Sequence, residues 1–307
     1  MGDSLLCGWR VRSEIPLPGL LGWTGDGREP DLVVRLGEVP ARIDPLVHET
    51  PVLQLAEDGC CRIEIAAVAA YLIDAAGREV VIQAVRAPAS PDVRLFLLGP
   101  LLAVLSYRRG LLPLHASCVR IGEQAVAIAG PPGVGKSTLA AAFARAGAVV
   151  LADNITVLDL SDPRHPLVLP TTPLLRLWPD SLAGLGFSPA GLEPSREALM
   201  RLELALDAGF DPSPQRLGRL CFLGQAADER SVGETRLSAV ETILKIERSR
   251  TPYSFALAQR LVGRAAMLSF AGRLAQAAPA FRLRRPRELE QAGAFVQSLV
   301  AGAQEAA

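Results

Sequence analysis

Lysine is nearly absent from this chain. Of its 32 basic residues only Lys136 and Lys245 are lysines, and the other thirty are arginines. Net charge is missing as well, because 32 Asp and Glu balance the bases at neutral pH. That balance argues against a general affinity for nucleic acid or for an anionic membrane. No apolar run is long enough to span a bilayer: the longest, Leu95 to Leu105, is short and holds Gly99-Pro100. Cysteine is present but unorganised. Positions 7, 60, 61, 118 and 221 form no disulfide framework and no metal-ligand spacing, which fits a reduced, cytoplasmic setting. The adjacent Cys60 and Cys61 read as strand residues facing opposite ways rather than as a redox pair. Internal repeats are absent, and the N-terminus does not read as a secretory signal.

What is there centres on one of the two lysines. Gly130-Pro131-Pro132-Gly133-Val134-Gly135-Lys136-Ser137-Thr138 fits the phosphate-binding loop pattern, Gly, four residues, then Gly-Lys-Ser/Thr. A triphosphate needs several backbone N–H groups aimed at it, so the loop must curl tightly, and the three glycines allow that curl. Lys136 sets a charge against the outer phosphates. Ser137 offers a hydroxyl to magnesium, and the following helix points its positive end at the phosphates. The setting is the required one. An apolar strand over 124–129 precedes the loop, and an Ala-rich helix over 136–146, stopped by Gly147, follows it.

Half of the 307 residues are apolar, enough for a large core and two domains. Residues 1–88 read as a β-rich domain of short strands near 32–36, 52–55, 61–65 and 79–85, packed as an antiparallel sheet. It carries no recognisable chemistry, and His48 reads as a surface or packing residue. Residues 89–307 form the second domain. Ser90-Pro91-Asp92 starts a helix to about Tyr107, kinked at Gly99-Pro100. A hairpin turning at Gly122-Glu123 feeds the loop. After Gly147, the strand 148–152 ends in Asp153-Asn154, the metal-and-base position of such sites, although an acid opening a turn looks the same in sequence. Helices are expected over 194–208, 236–248 and 253–277, a strand over 280–284, and a last helix from Pro286. Residues 209–235 show no assignable pattern.

His115, the loop and Ala152-Asp153-Asn154 together resemble the kinase domain of bacterial HPr kinase/phosphorylase. Closer still is a likeness to stand-alone serine-kinase-like proteins of peptide-modifying clusters, including the lasso peptide kinases. Their run appears here as Arg109-Gly110-Leu-Leu-Pro-Leu-His115-Ala-Ser117, Gly135-Lys-Ser-Thr138, Ala152-Asp153 and Arg176-Leu-Trp-Pro-Asp180. The likeness covers about 90 to 285 and implies an α/β, phosphoenolpyruvate-carboxykinase-like (HPr kinase-like) P-loop domain behind the β-rich one. It differs from the family at two points. The family's Asp-Asp is Asp153-Asn154, whose Asn still offers a carbonyl oxygen to a metal. The Glu-x-Arg-Gly-x-Gly signature of true HPr kinase/phosphorylase is absent after residue 160.

The resemblance implies transfer of the γ-phosphoryl group of ATP, with Mg2+, to a hydroxyl. The acceptor expected is a serine of a ribosomally made, lasso-type precursor peptide. The alternatives are free serine, another protein's serine, or nucleotide binding without transfer. Lys136 and the amides of 130–138 would hold phosphate, Ser137 with Asp153 or Asn154 would hold magnesium, and Asp153 would take the hydroxyl proton. His115 either hydrogen-bonds the phosphoryl group or the acid, or ties the hairpin down. Arg176 either neutralises developing charge or pairs with Asp180. Arg282, Arg284 and Arg285 are weaker candidates. A peptide or protein serine is the expected partner, nucleic acid and membrane are not, and the family's ring-like oligomers make a homo-oligomer possible.

Overall fold

Alternation of buried and partly exposed residues, seen most cleanly along Ala69–Ile73, organises the first part of the chain. The computed structural model describes residues 2–196, 199–206, 208–249, 252–286 and 291–305. Over these it is a mixed α/β structure with several sheets. The first sheet holds nine strands: β1 (Gly2–Leu6), β2 (Trp9–Ser13), β3 (Leu21–Gly22), β4 (Leu32–Leu36), β5 (Leu46–Thr50), β6 (Leu53–Ala56), β7 (Cys61–Ile65), β8 (Ala69–Ile73) and β9 (Glu79–Ala84). Their order is β3-β1-β2-β4-β9-β8-β7-β6-β5. The sheet expected to be antiparallel is mixed, because β4 runs parallel to both β2 and β9. The chain reaches β4 through the long 14–31 connection and leaves it through the β5–β8 meander, and such long crossovers are what parallel neighbours need. His48 lies half-buried on the edge strand β5. Cys61 is buried in β7 while Cys60 just before it is half-buried, and all five cysteines are free.

Ser90 caps helix α1 (Pro91–Phe96) by accepting the Val93 N–H. The expected kink takes the form of a π turn over Leu97–Leu101, followed by α2 (Leu102–Arg108). Pro100 has no N–H to give, and its ring would meet the carbonyl one turn back, so the turn widens there. Val93, Leu97, Leu101 and Leu105 share one core with Ile63, Tyr71 and Ile82, joined from further along the chain by Val157 and Leu169. The connector thus packs on the first sheet rather than hanging between two bodies.

The second sheet is built from β10 (Leu112–Leu114), β11 (Ala116–Ile121), β12 (Gln124–Ala129), β13 (Val149–Ala152), β14 (Thr156–Asp159), β15 (Leu167–Leu169) and further strands from late in the chain. Helix α3 (Lys136–Arg145) lies between β12 and β13. A small third sheet joins β16 (Leu174–Leu177), β17 (Pro194–Arg196) and β18 (Leu199–Ala205), with α4 (Pro179–Gly184) after β16. Then come β19 (Gln215–Gln225), β20 (Gly233–Arg236), α5 (Ala239–Arg248), α6 (Pro252–Ala277), β21 (Ala280–Arg285) and α7 (Ala292–Glu305). The β11–β12 hairpin is antiparallel, whereas β12 and β21 flank β19 in parallel. Along β12, Ala125, Ala127 and Ala129 face a core with Met267, Phe270 and Leu274 of α6. Val126 and Ile128 face Leu139 and Phe143 of α3 and Val296 of α7. The second sheet is therefore covered on both faces, and the strand entering the loop is held from both sides.

Several expectations are corrected. The helix expected over 194–208 is the strand pair β17 and β18, with 197, 198 and 207 outside the described residues. Leu202 and Leu204 alternate with Arg201 and Glu203, and β18 pairs with β16 at Leu177↔Leu202 through Leu174↔Ala205. Cross-strand pairing overrides the helix propensity of its Glu, Leu, Met and Arg residues. The unassigned 209–235 segment holds β19 at the centre of the sheet. Helix α6 is interrupted at Gly263, whose φ is 81°. The last helix is described from Ala292, and 287–290 lie outside the described residues. Among the described residues no helix is long and apolar enough to cross a membrane.

Candidate active site

The loop between β12 and α3 curls as its composition demands. Gly130, Gly133 and Gly135 have φ values of 150°, 77° and 98°, all outside the range other residues favour. Gly130 is also confined: a Cβ there would lie 2.8 Å from the Leu223 carbonyl oxygen and 3.3 Å from a Val134 methyl. Gly130→Ala is accordingly expected to destabilise the protein by roughly 1–3 kcal/mol, through strain rather than lost contacts. Urea unfolding of the variant measures this. An unchanged midpoint would mean that the loop can shift away from β19.

Lys136 is buried at the head of α3 and donates from Nζ to the Gly130 carbonyl at 3.0 Å and the Pro131 carbonyl at 3.2 Å. Burial pushes its ammonium down to about 8, opposed by Asp153 and reinforced by Arg201. Asp153, 5% exposed, follows β13. Its Oδ1 accepts the hydroxyls of Ser117 at 2.6 Å and Ser137 at 2.8 Å, and its Oδ2 accepts the Arg176 backbone N–H at 3.1 Å. Three elements, β11, α3 and β16, thus fix one carboxylate. Asn154 beside it stands in the left-handed region at φ 70°, which Asn tolerates better than most residues. It lies close to Gly99 of the π turn, where a Cβ would come within 3.3 Å of its Nδ2.

These groups open into one cavity of about 520 Å³. His115, Pro132, Gly133, Gly135, Lys136, Ser137, Thr138, Asp153, Asn154 and Arg176 all line it. Of the residues expected at the site, Gly130, Pro131 and Val134 stand behind the lining. The Gly130 and Pro131 carbonyls receive Lys136, and the Val134 carbonyl receives Arg285 Nε at 3.1 Å. Thr138 donates to Ser181 Oγ of α4 at 3.2 Å. Arg176 pairs through Nε with Glu203 at 3.1 Å across β16 and β18, so its carboxylate partner is Glu203 where the sequence offered Asp180. Arg282 reaches Glu241, whereas Arg285, on the opposite face of β21, lines the cavity.

Two residues of the site escape a sequence reading. Ser117 stands two residues after His115 and is fully buried, and strand alternation from His115 would have placed it on the same face. Arg201 lies in the segment that reads as helix and gives no local signal. Leu95, Phe96 and Pro100 of the connector form an apolar part of the wall, with Trp178.

Burial and the neighbouring Lys136 charge push His115 down to about 4, opposed by Asp153 and reinforced by Arg201. At neutral pH the imidazole is uncharged and can only exchange hydrogen bonds. Between pH 4 and 6.5 the unfolded chain binds a proton that folded His115 does not, so stability rises with pH across that window. The contribution is roughly 3 kcal/mol at full extent. Urea midpoints measured from pH 4 to 7 should show that slope reduced in His115→Gln. Parallel curves for the two proteins would overturn it.

A magnesium ion fits this donor set. Ser137 gives its proton to Asp153 and so turns oxygen lone pairs outward, while one carboxylate with hydroxyl, water and phosphate oxygens is the usual environment for that ion. Among the described residues no cluster of three or more His, Cys, Asp or Glu side chains forms a cage of protein ligands. The loop fits a polyphosphate: a curl made by three glycines at positive φ, the N-terminus of a ten-residue helix and the ammonium of the buried Lys136 come together at one cavity.

No family model matches the chain, and no curated protein matches it. Among solved structures, the chain is similar to the HPr(Ser) kinase/phosphatase from Coxiella burnetii, at 12% identity, covering 63% of this chain and 96% of that one. The TM-score is 0.35, a loose likeness, and the fold and site described here stand on their own geometry.

Proposed function

We propose that this protein is an ATP-dependent kinase that transfers the γ-phosphoryl group to a serine hydroxyl of a peptide, of the lasso-precursor type. The observation that carries the reading is Asp153. A buried carboxylate held by Ser117, Ser137 and the Arg176 N–H faces the same cavity as Lys136 and the glycine loop. Lys136 and the loop amides would hold the phosphates, and Ser137 with Asp153 and Asn154 would hold magnesium, which supplies charge neutralisation on the phosphate oxygens. Asp153 Oδ1 already accepts two hydroxyls, but Oδ2 accepts only one N–H and has a lone pair left. The acceptor hydroxyl gives its proton to Oδ2 as it attacks in line. His115, neutral, donates or accepts one hydrogen bond beside them. The connector residues Leu95, Phe96 and Pro100 offer an apolar wall on which a peptide acceptor can lie.

The test is a transfer assay with γ-labelled ATP and magnesium, offering serine-containing precursor peptides beside free serine. Label on a peptide supports the proposal. Label on free serine alone moves the acceptor to a small molecule. ATP bound with no label transferred leaves a nucleotide-binding regulator, the second reading, which Asn154 favours because it removes one of the two acids of the family pattern.

A further inference from the structure

The arginines around the cavity are met in different ways. Arg176 is paired with Glu203, and Arg196 is paired with the buried Asp92 of α1 at 2.8 Å. Those two charges are spent on joining β16 to β18 and β17 to α1. Arg201 meets no carboxylate among the described residues. Its guanidinium lies over the Trp178 ring, 5.1 Å from the centroid, and its buried Nε has no hydrogen-bond partner. It lines the same cavity as Lys136 and His115, and its charge helps to depress both. An unmatched buried donor on a cation is costly to the fold. The indole platform recovers part of that, and Trp178 itself stays 43% exposed to provide it.

Resting on the reading of this cavity as a triphosphate site, we propose that Arg201 grips the terminal phosphoryl group from β18, so that the small third sheet distinguishes ATP from ADP. Lys136 comes from the head of α3 and Arg201 from β18, so the two cations reach the cavity from separate elements. The loop amides and Lys136 serve the inner phosphates as well as the outer one. The terminal phosphate alone separates ATP from ADP, so a cation on a separate element that meets it reads that difference. The guanidinium fork offers paired N–H donors to two phosphate oxygens, which a lysine cannot do. Because β16 also supplies the N–H that holds Asp153, the sheet that positions the base carries the clamp.

The test is calorimetric titration of the full chain, with magnesium, by ADP and by the β,γ-imido analogue of ATP. Arg201→Gln is expected to lose roughly 10- to 100-fold in affinity for the analogue and to keep its ADP affinity within about two-fold. Retained ADP binding certifies the fold. Arg201→Lys, which keeps the charge but not the fork, should fall between wild type and Arg201→Gln. An unchanged analogue-to-ADP ratio in Arg201→Gln overturns the clamp while leaving the triphosphate reading in place. Equal loss of both nucleotides also overturns it, because Arg201 would then only hold the cavity's shape. A wild-type protein that binds neither nucleotide overturns the triphosphate reading and the clamp with it.

Discussion

Lys136→Met is expected to make the nucleotide-free protein more stable while removing its affinity for ATP. The side chain is 7% exposed, and its ammonium is pushed from 10.5 to about 8 chiefly by burial. The folded state therefore penalises the charged form by roughly 3 kcal/mol at neutral pH. Methionine has nearly the same length, fills the same space and carries no charge to desolvate. Against this, the Gly130 and Pro131 carbonyls lose their donor and Asp153 loses a nearby cation. Pro131 is exposed and water can serve its carbonyl, but Gly130 is buried and its carbonyl is left without that donor, so the net gain should be about 1 kcal/mol. The pH dependence gives the check. Between pH 8 and 10.5 the unfolded chain holds a proton that folded Lys136 has lost, so wild-type stability rises with pH there. The variant lacks that rise of roughly 3 kcal/mol, so the two curves should cross within this window and wild type should be the more stable by about pH 10.5. Calorimetry should meanwhile show ATP binding lost or weakened by at least about 100-fold, since in the proposed site this ammonium holds the phosphates. A variant less stable than wild type at pH 7 would mean that Lys136 is a structural tie of the loop. One that still binds ATP normally would detach Lys136 from the phosphates.

Such opposed effects are readable because the loop is written in local chemistry. Glycines at fixed offsets, one lysine in a chain of arginines and a strand before a helix identify it without any long-range contact. The connector is legible for the same reason: Ser90 caps α1, and Gly99-Pro100 sets the π turn. What stays hidden depends on partners distant in sequence. Arg201 and Glu203 sit among helix formers, and only pairing with β16 and β17 makes this stretch a strand that puts both on one face. Strand β19 carries Gly218 and Gly224, a residue type that weakens a strand pattern. Its Gly218 lies against Gln124 of β12, where a Cβ would come within 2.2 Å of the side-chain oxygen. That glycine marks the close approach of two central strands rather than a turn. Asp153 was visible as an acid at a strand end, but its three donors were not, since Ser117, Ser137 and Arg176 come from three separate stretches.

Those three donors decide the outcome of Asp153→Asn, which is expected to lower peptide phosphorylation by about 100- to 10,000-fold, the usual span for loss of a general base. Asparagine keeps the shape but turns one oxygen into a donor. If that NH2 replaces Oδ2, it faces the Arg176 N–H, donor against donor, and the acceptor hydroxyl loses its base. If it replaces Oδ1, the serine hydroxyls must rotate to accept from it. Ser117, fully buried, must then send its own proton elsewhere. Either arrangement leaves one buried donor badly placed, so stability should fall by roughly 1–2 kcal/mol. The side chains proposed to hold phosphate, Lys136 and Arg201, are untouched, so ATP affinity should change far less than the transfer rate. Measuring label transfer, ATP affinity and urea midpoint on one preparation separates the roles. Transfer lost with affinity kept assigns Asp153 to proton removal. Transfer and affinity lost together make it a holder of magnesium and phosphate. Transfer at the wild-type rate would remove Asp153 from the chemistry altogether, and the carboxylate would be left as the tie that joins β11, α3 and β16.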